Sequence, residues 1–449
     1  MKPTGSETQE HGDISSSSSS VSNVAPAPVT FHDPYQAFRY HDYRLLFAGT
    51  LIAIIGEQML NVAIGWELYE RTGSALALGG VGLVQVLPMI LLSLPAGHLA
   101  DRLNRKMIVI VGQLSLALAA LGLAALSYAH GSLVLIYGCL LLIGVATAFS
   151  GPANSALLPQ TVPVEAYANA ATWSSSSWQL ASMLGPALGG FVIALQHSAT
   201  LVYVLDVAAA LIFVVLILLL RKVYQAIRPA EQSAEGTTLA SLIEGLTFLR
   251  RTQVILAAIT LDLFAVLLGG ATTLLPIFAK DILHAGPTGL GWLRAAPSIG
   301  AVCVSFSIAY LPPFKKAGRT LLLAVAGFGV ATIIFGLSHW FWLSLLMLLI
   351  LGALDNISVV IRSTLLLTRS PDAMRGRIAA VNNIFVSASN ELGGFESGLV
   401  AQLFGPVISV VGGGIGTILV VLLVALLWPE MRRLGALSEL QKTVESTIE

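Results

Sequence analysis

The feature that most constrains this chain is a series of apolar segments that recurs from residue 45 to residue 428. A helix needs about 20 mostly apolar residues to cross the hydrocarbon core of a bilayer. The segments that meet this length are 45–69, 76–99, 107–128, 132–157, 167–195, 199–220, 254–279, 289–311, 320–337, 341–367, 376–403 and 406–428. The sequence therefore predicts an all-α membrane protein with twelve transmembrane helices, six on each side of a polar interval.

Charge supports a lipid-facing surface and excludes several classes of function. Only 11% of the residues are charged, whereas soluble proteins carry about 25%. The formal net charge is zero, so nothing indicates a nucleic-acid partner. The eight histidines and two cysteines lack metal-ligand spacing, and no phosphate-binding G-x-x-x-x-G-K-[ST] loop or nucleophile–base pair is present. We expect no enzyme activity, no cofactor and no metal.

Basic residues alternate between the predicted loops. They precede span 1, follow span 12, and fill the loops after spans 2, 6, 8 and 10, whereas the other loops contain only Arg71 and Lys280, with Arg294 near the start of span 8. Loops rich in Lys and Arg stay in the cytoplasm. The pattern predicts a multi-pass protein of the bacterial inner membrane with both termini in the cytoplasm.

The polar interval divides the chain into regions. We expect a disordered cytoplasmic tail at 1–34, a six-helix bundle at 35–221, a linker at 222–253, a second bundle at 254–428 and a cytoplasmic tail at 429–449. Apolar residues repeat along the linker at helical spacing, which predicts an amphipathic helix on the membrane surface. These residues are Leu239, Leu242, Ile243, Leu246 and Leu249.

The loop between spans 2 and 3 carries the most specific motif, Gly97-His-Leu-Ala-Asp-Arg-Leu-Asn-Arg-Lys106. It resembles the loop signature of the major facilitator superfamily, with Asn104 at a usual glycine, where asparagine also tolerates a left-handed turn. The resemblance implies two pseudo-symmetric six-helix bundles and a conformational latch between this loop and the start of span 11. The implied latch residues are Gly97, Asp101, Arg102, Arg105, Lys106, Arg375 and Arg377.

A second motif lies in span 5, where Gly185, Pro186, Gly189 and Gly190 form a G-P-x-x-G-G pattern. It resembles a signature of the superfamily's antiporters, although small residues also serve ordinary helix packing. Further stretches, including WELYERTGSALALGG from Trp66 and ASNELGGFESG from Ala388, are similar to the branch that holds the enterobactin exporter and macrolide efflux proteins.

Ionisable residues inside the spans are candidates for a substrate or proton pathway, because an isolated charge there costs about 2.5–3.5 kcal/mol or more. The candidates are Glu57, Asn61, Asp262, Asp355, Arg362 and Glu391. The superfamily resemblance implies that Glu57, Asp262 and Asp355 line a central cavity. Structural pairing is the alternative, for example between Asp355 and Arg362 on one helix face, and Glu391 is expected to be structural.

These patterns predict a monomeric, proton-coupled exporter of small organic molecules, siderophore-like or drug-like, that works by alternating access. Glu57 or Asp262 is the expected carrier of the coupling proton. An uptake symporter or uniporter, and a receptor-like membrane subunit without transport, remain as alternatives.

Overall fold

Long helices make up nearly all of the structure. The computed structural model describes residues 33–221, 239–310, 315–371 and 374–435, and these ranges contain no strand. The first six long helices are α1 (His41–Thr72), α2 (Ala75–Arg102), α3 (Arg105–Tyr128), α4 (Leu133–Leu157), α5 (Tyr167–Gln196) and α6 (Thr200–Leu218). The others are α7 (Leu239–Arg251), α8 (Gln253–Leu268), α9 (Leu275–Ile277), α10 (Gly286–Tyr310), α11 (Ala317–Leu337), α12 (Phe341–Arg369), α13 (Arg375–Phe404), α14 (Pro406–Leu427) and α15 (Pro429–Arg433).

The predicted membrane spans are present. Among the described residues, 11 helical segments are long and apolar enough to cross a membrane. The twelfth is α13, whose 30 residues also reach membrane length but include too many charged and amide side chains for that criterion. Helices satisfy every backbone hydrogen bond internally, which is the condition for crossing lipid. The all-α membrane fold is therefore confirmed, and α13 completes a series of twelve segments of membrane length.

The seventh span is broken near its middle. α8 ends before Gly269, and the span continues through a 3-10 turn, the short α9 and a π-helical turn at Phe278–Ile282. Pro276 lies at the start of α9, where its missing N–H costs no hydrogen bond within the helix. The span thus extends to residue 282 rather than 279, and the eighth begins at Gly286 rather than 289.

Two ends of the bundle are distinguished by charge. The basic end carries the loop with Arg105 and Lys106 and the start of α13 with Arg377, whereas the opposite end carries the turn at Gly73. Gly73 closes α1 with φ +59°, a left-handed conformation that glycine adopts without strain. The side chain of Ser74 then caps α2 by accepting a hydrogen bond from the Ala77 N–H at 3.3 Å.

Residues from Tyr35 onward form one compact unit in which the two six-helix halves meet along two seams, α2 against α13 and α5 against α10. The predicted tail at 429–449 begins with α15, which docks on the second half through the fully buried Met431. The Trp428 indole N–H donates to Gln253 at 2.6 Å beside it. The predicted tail at 1–34 lies outside the described residues except for its last two, and linker residues 222–238 lie outside them as well.

Candidate functional site

The two halves are sealed together at the opposite end. One buried apolar cluster there includes Leu68 of α1 and Phe278 of the seventh span, so it crosses from one half to the other. Toward the basic end, each buried cluster among the described residues belongs to a single half, as with Val109 in the first and Leu365 in the second. The cleft between the halves therefore opens toward the basic end.

Polar contacts add to this seal. The Tyr69 hydroxyl of α1 donates a hydrogen bond to the carboxylate of Asp281 in the second half. The ammonium of Lys280 lies 5.8 Å from the centroid of the Tyr69 ring, a cation–π distance. Ser74 donates to Gln402 of α13 at 3.0 Å. These contacts all join the first half to the second at the opposite end.

The G-P-x-x-G-G motif lies where α5 meets both α1 and the other half. A Cβ built on Gly185 or Gly189 would lie 3.0 Å from a main-chain atom of α1. A Cβ on Gly190 would lie 2.9 Å from the Cα of Gly291 in α10, and the carbonyl of Pro186 faces that same glycine. The motif thus brings main chains into close contact on both sides of α5. Its assignment to antiporters remains a prediction.

In the predicted latch loop, the described basic side chains bind within their own half. The Arg105 guanidinium donates to the carbonyl of Ala156 at 3.2 Å. The Lys106 ammonium donates to the carbonyls of Leu218 and Leu220 at 3.1 and 3.2 Å. Lys106 therefore neutralises the C-terminal end of α6, where helix carbonyls lack partners.

Asn104 caps the helix that follows the latch loop. Its φ of −65° and ψ of 112° are extended, not left-handed, and its side chain accepts a hydrogen bond from the Lys106 N–H at 3.0 Å. Asparagine is favoured at this position because its oxygen satisfies a free amide of the first helical turn. The residue is therefore the N-cap of α3, and the tolerance of asparagine for a left-handed turn is not used here.

The latch contact itself stays a prediction. A Cβ on Gly97 would meet nothing within 4 Å, so this part of α2 has open space beside it. The side chains of Asp101 and Arg102 lie outside the described part of the structure. Arg375, at the start of α13, is exposed.

Arg377 binds the linker helix. Its guanidinium lies 2.5 Å from the carboxylate of Glu244 in α7, and a Cβ on Gly245 would lie 3.3 Å from the Arg377 carbonyl. Leu249 of α7 is buried against α8 and α13. α7 is therefore fastened to the second half by an apolar face and an ion pair.

Glu57 lines a chamber inside the first half. The chamber has a volume of about 150 Å³ and lies between α1, α3, α4 and α6. Glu57 is midway along α1, about 23 Å from either end at 1.5 Å per residue, and its side chain is exposed. Asp206 of α6 lines the same chamber, and its charge interacts with that of Glu57. Asn61 does not line it.

Asp206 was not among the predicted site residues. It lies early in α6 within a strongly apolar run, and only the packing of α6 on α1 brings it to Glu57. A sequence signal did exist in Gly56, the residue before Glu57. A Cβ there would lie 2.7 Å from the Asp206 carboxylate, so the absence of a side chain at Gly56 allows α6, which carries Asp206, to approach α1.

Asp262 and Arg362 form an ion pair inside the second half. The side chains are 9% and 7% exposed and join α8 to α12. The structure thus pairs Arg362 with Asp262 from another helix, and among the described residues it shows no salt bridge between Arg362 and Asp355. Asp262 and Asp355 both line a small cavity of about 10 Å³.

Glu391 lies where α13 crosses α2. Its carboxylate packs against Gly82 of α2, so closely that a side chain at that glycine would collide with it. Its charge interacts with that of Arg294 in α10. Arg294 falls inside the predicted span 289–311, and the structure places it inside α10, two turns from the helix start. Among the described residues, no group of three or more His, Cys, Asp or Glu side chains could hold a metal ion.

Solved structures show the same fold at low sequence identity. A bacterial homolog of the human lysosomal transporter Spinster, in an inward-facing and occupied conformation, matches with a TM-score of 0.67 and 14% identity over 90% of this chain and 99% of its own. The xylose transporter XylE from E. coli, in an inward open conformation, matches with a TM-score of 0.63 and 14% identity, over 84% and 95%.

Curated relatives align over most of their length. The multidrug efflux pump Tap of Mycolicibacterium fortuitum is 26% identical over 371 residues, which cover 80% of this chain and 89% of Tap. The enterobactin exporter EntS of Citrobacter koseri is 27% identical over 392 residues, covering 87% and 92%. These relatives are transporters, which confirms that the chain is not an enzyme. The sequence pattern of the transmembrane secretion effectors matches residues 32–443, so the chain belongs to this family of major facilitator superfamily transporters.

Proposed function

We propose that this transporter exports small organic molecules, siderophore-like or drug-like, from the cytoplasm by alternating access, driven by proton entry. It acts as a monomer in the bacterial inner membrane. The relatives EntS and Tap are an enterobactin exporter and a multidrug efflux pump, which supports the direction and the substrate class.

One observation carries the mechanism, namely that the halves are sealed at one end and separated at the other. Alternating access needs such a state and its mirror, related by rocking of the two halves. Export then requires that cargo enters from the basic end and leaves after the seal at the opposite end has opened. The contacts of Tyr69 and Ser74 across that seal must break in this step.

The orientation follows from the basic loops and has a direct test. We expect both termini to be cytoplasmic, because Lys and Arg concentrate in loops at the end where the chain begins and finishes. Separate C-terminal fusions to a fluorescent protein and to alkaline phosphatase should give a fluorescent cell and an inactive phosphatase. An active phosphatase with a dark fluorescent protein would reverse the proposed orientation, and with it the direction of transport.

Glu57 is the proposed coupling carboxylate. It lines a chamber at mid-membrane, whereas the rival candidate Asp262 is held by Arg362. A proton that enters down a potential of 100 mV releases about 2.3 kcal/mol, which can drive cargo the other way. Protonation of Glu57 from the opposite end and its deprotonation at the basic end would couple that entry to export.

The coupling test uses reconstituted vesicles with enterobactin and erythromycin as probes. The wild type should accumulate at least one probe when a pH gradient is imposed, and a protonophore should abolish the accumulation. Glu57→Gln should lose this accumulation and retain counterflow, because the cleft and the rocking halves remain.

The matched comparison is Asp262→Asn. Since this residue binds Arg362, its loss should lower yield and reduce accumulation and counterflow together. A Glu57→Gln protein that still accumulates probe at the wild-type rate contradicts the assignment of coupling to Glu57. Absence of flux for both probes in the wild type contradicts the proposed cargo class.

A further inference from the structure

We propose that Glu57 and Asp206 together form one proton-binding site, in which two carboxylates share a single proton inside the chamber of the first half. This inference rests on the proposed proton-coupled export and deepens it, because it assigns a second residue and a defined charge state to the coupling step. Asp206 lies on α6 and is separate in sequence from every motif of the chain.

The first ground is the position of Asp206. Its side chain is 7% exposed, yet it lines the chamber and makes no hydrogen bond or salt bridge with any described residue. A buried carboxylate without a partner is costly, and membrane proteins retain such groups where an ion or substrate passes. The chamber beside Asp206 therefore needs an occupant that satisfies the carboxylate.

The second ground is the close packing of α6 on α1. A Cβ on Gly56 would lie 2.7 Å from the Asp206 carboxylate and 2.9 Å from the Ala209 Cβ. Any larger residue at this position would push α6 away. The main chain next to Glu57 is thus in contact with Asp206, and the two acids interact electrostatically.

The third ground is the chemistry of the chamber wall. No Lys, Arg or His lines the chamber, so among the described residues Glu57 and Asp206 are the titratable groups that face it from α1, α3, α4 and α6. The remaining polar groups are neutral amides and hydroxyls that can donate hydrogen bonds to one negative charge. They are Gln113, Thr147, Ser150 and Asn154.

Charge balance then selects the occupant. Two ionised carboxylates would place a charge of −2 in a low-dielectric chamber without a base, whereas uptake of one proton leaves −1 shared between them. Among the described residues, these two acids belong to no group of three or more His, Cys, Asp or Glu side chains that could hold a metal ion. A proton needs only the two oxygens.

The two acids have different access, which gives the site a direction of exchange. Glu57 is exposed and can exchange its proton with water in the protein interior, while Asp206 is enclosed by α1 and α6. Hydronium in the interior water transfers its proton to Glu57: one O–H bond of hydronium breaks and leaves water, the carboxyl O–H bond forms, and the pair changes from a charge of −2 to −1. Release reverses these changes at the basic end.

Infrared difference spectroscopy of the purified full-length chain in liposomes tests the shared proton without any transported probe. We expect the wild type to show a protonated-carboxyl band that titrates with pH, and Glu57→Gln and Asp206→Asn each to abolish it. The double variant should remove no more signal than either single variant, because the band belongs to the pair. The matched control is Glu396→Gln on α13, which should keep the band.

Two separate bands that add in the double variant would mean independent acids and would overturn the inference. Persistence of the band in either single variant would assign the proton to the remaining acid alone and would also overturn it. The transport arm measures Asp206→Asn in vesicles, where we expect accumulation at the level of protein-free liposomes, with retained counterflow that no longer depends on pH. Wild-type accumulation by this variant contradicts the shared site while leaving the proposed export intact, and absence of wild-type flux affects only the proposed function.

Discussion

Replacement of Arg362 by methionine is expected to lower the free energy of unfolding by about 3–5 kcal/mol, because it leaves the Asp262 carboxylate buried without a counter-charge. The two side chains are less than a tenth exposed and join α8 to α12. Reversible unfolding of the purified protein by SDS in mixed micelles measures the loss. The double variant Asp262→Asn with Arg362→Met should recover most of it, since both charges are then absent.

The control for this cycle is an ion pair of similar chemistry but greater exposure. Arg377 and Glu244 are 22% and 55% exposed, so Arg377→Met should cost only about 0–1 kcal/mol. Equal losses for the two arginine variants would show that burial does not set the energy of these pairs. A double variant as unstable as Arg362→Met alone would show that the arginine contributes through packing rather than charge.

A single methyl group at the α5–α10 seam is expected to disturb the balance between the two states of the transporter. In Gly190→Ala the new Cβ would lie 2.9 Å from the Cα of Gly291, and main chain cannot move aside as a side chain can. Overpacking of this kind costs about 1–3 kcal/mol. If the cost falls on the state sealed at the opposite end, the ratio of the two states changes by about 5- to 150-fold.

Labelling with an impermeant maleimide measures this change. Ala271 is 2% exposed and belongs to the cluster that seals the opposite end, so a cysteine there reacts only when the seal opens. The background lacks Cys139 and Cys303, which are free thiols. Gly190→Ala should speed the labelling. The matched control is Gly412→Ala, whose Cβ would meet nothing within 4 Å and should leave the rate unchanged. Equal rates in both variants would contradict a tight seam.

Sequence predicted the spans well because hydropathy and length alone decide whether a helix can cross lipid. The break at Gly269 was harder to locate, because the 3-10 turn that follows it does not interrupt the hydropathy of the span. The end of the span at 282 was also missed, because the π turn carries Lys280 and Asp281, which end the apolar run. The sequence placed α13 among the spans because a mostly apolar segment of membrane length covers 376–403. It fails a simple apolar criterion because polar side chains such as Asn390, Glu391 and Glu396 lower its mean hydropathy.

Pairings between helices were beyond the reach of sequence patterns. Spacing along one helix suggested Asp355 as the partner of Arg362, whereas the structure supplies Asp262 from a helix 100 residues earlier in the chain. The sequence places Asp206 in span 6, but its partner depends on which helix α6 contacts. Only the three-dimensional packing shows that α6 contacts α1, and in the sequence Gly56 is the one local indication of this close contact.

The glycine contacts at the two seams differ from the walls of the chamber and cleft in how much change they can accept. At α2–α13 a Cβ on Gly398 would lie 2.8 Å from the Cα of Gly79, and at α5–α10 Gly190 meets Gly291 in the same manner. At these positions the two halves contact each other through main chain, and there is no room for even the smallest side chain. The chamber and cleft walls are made of replaceable side chains. We expect a lineage under selection for new cargo to diversify these walls while Gly79, Gly398, Gly190 and Gly291 at the seams stay fixed.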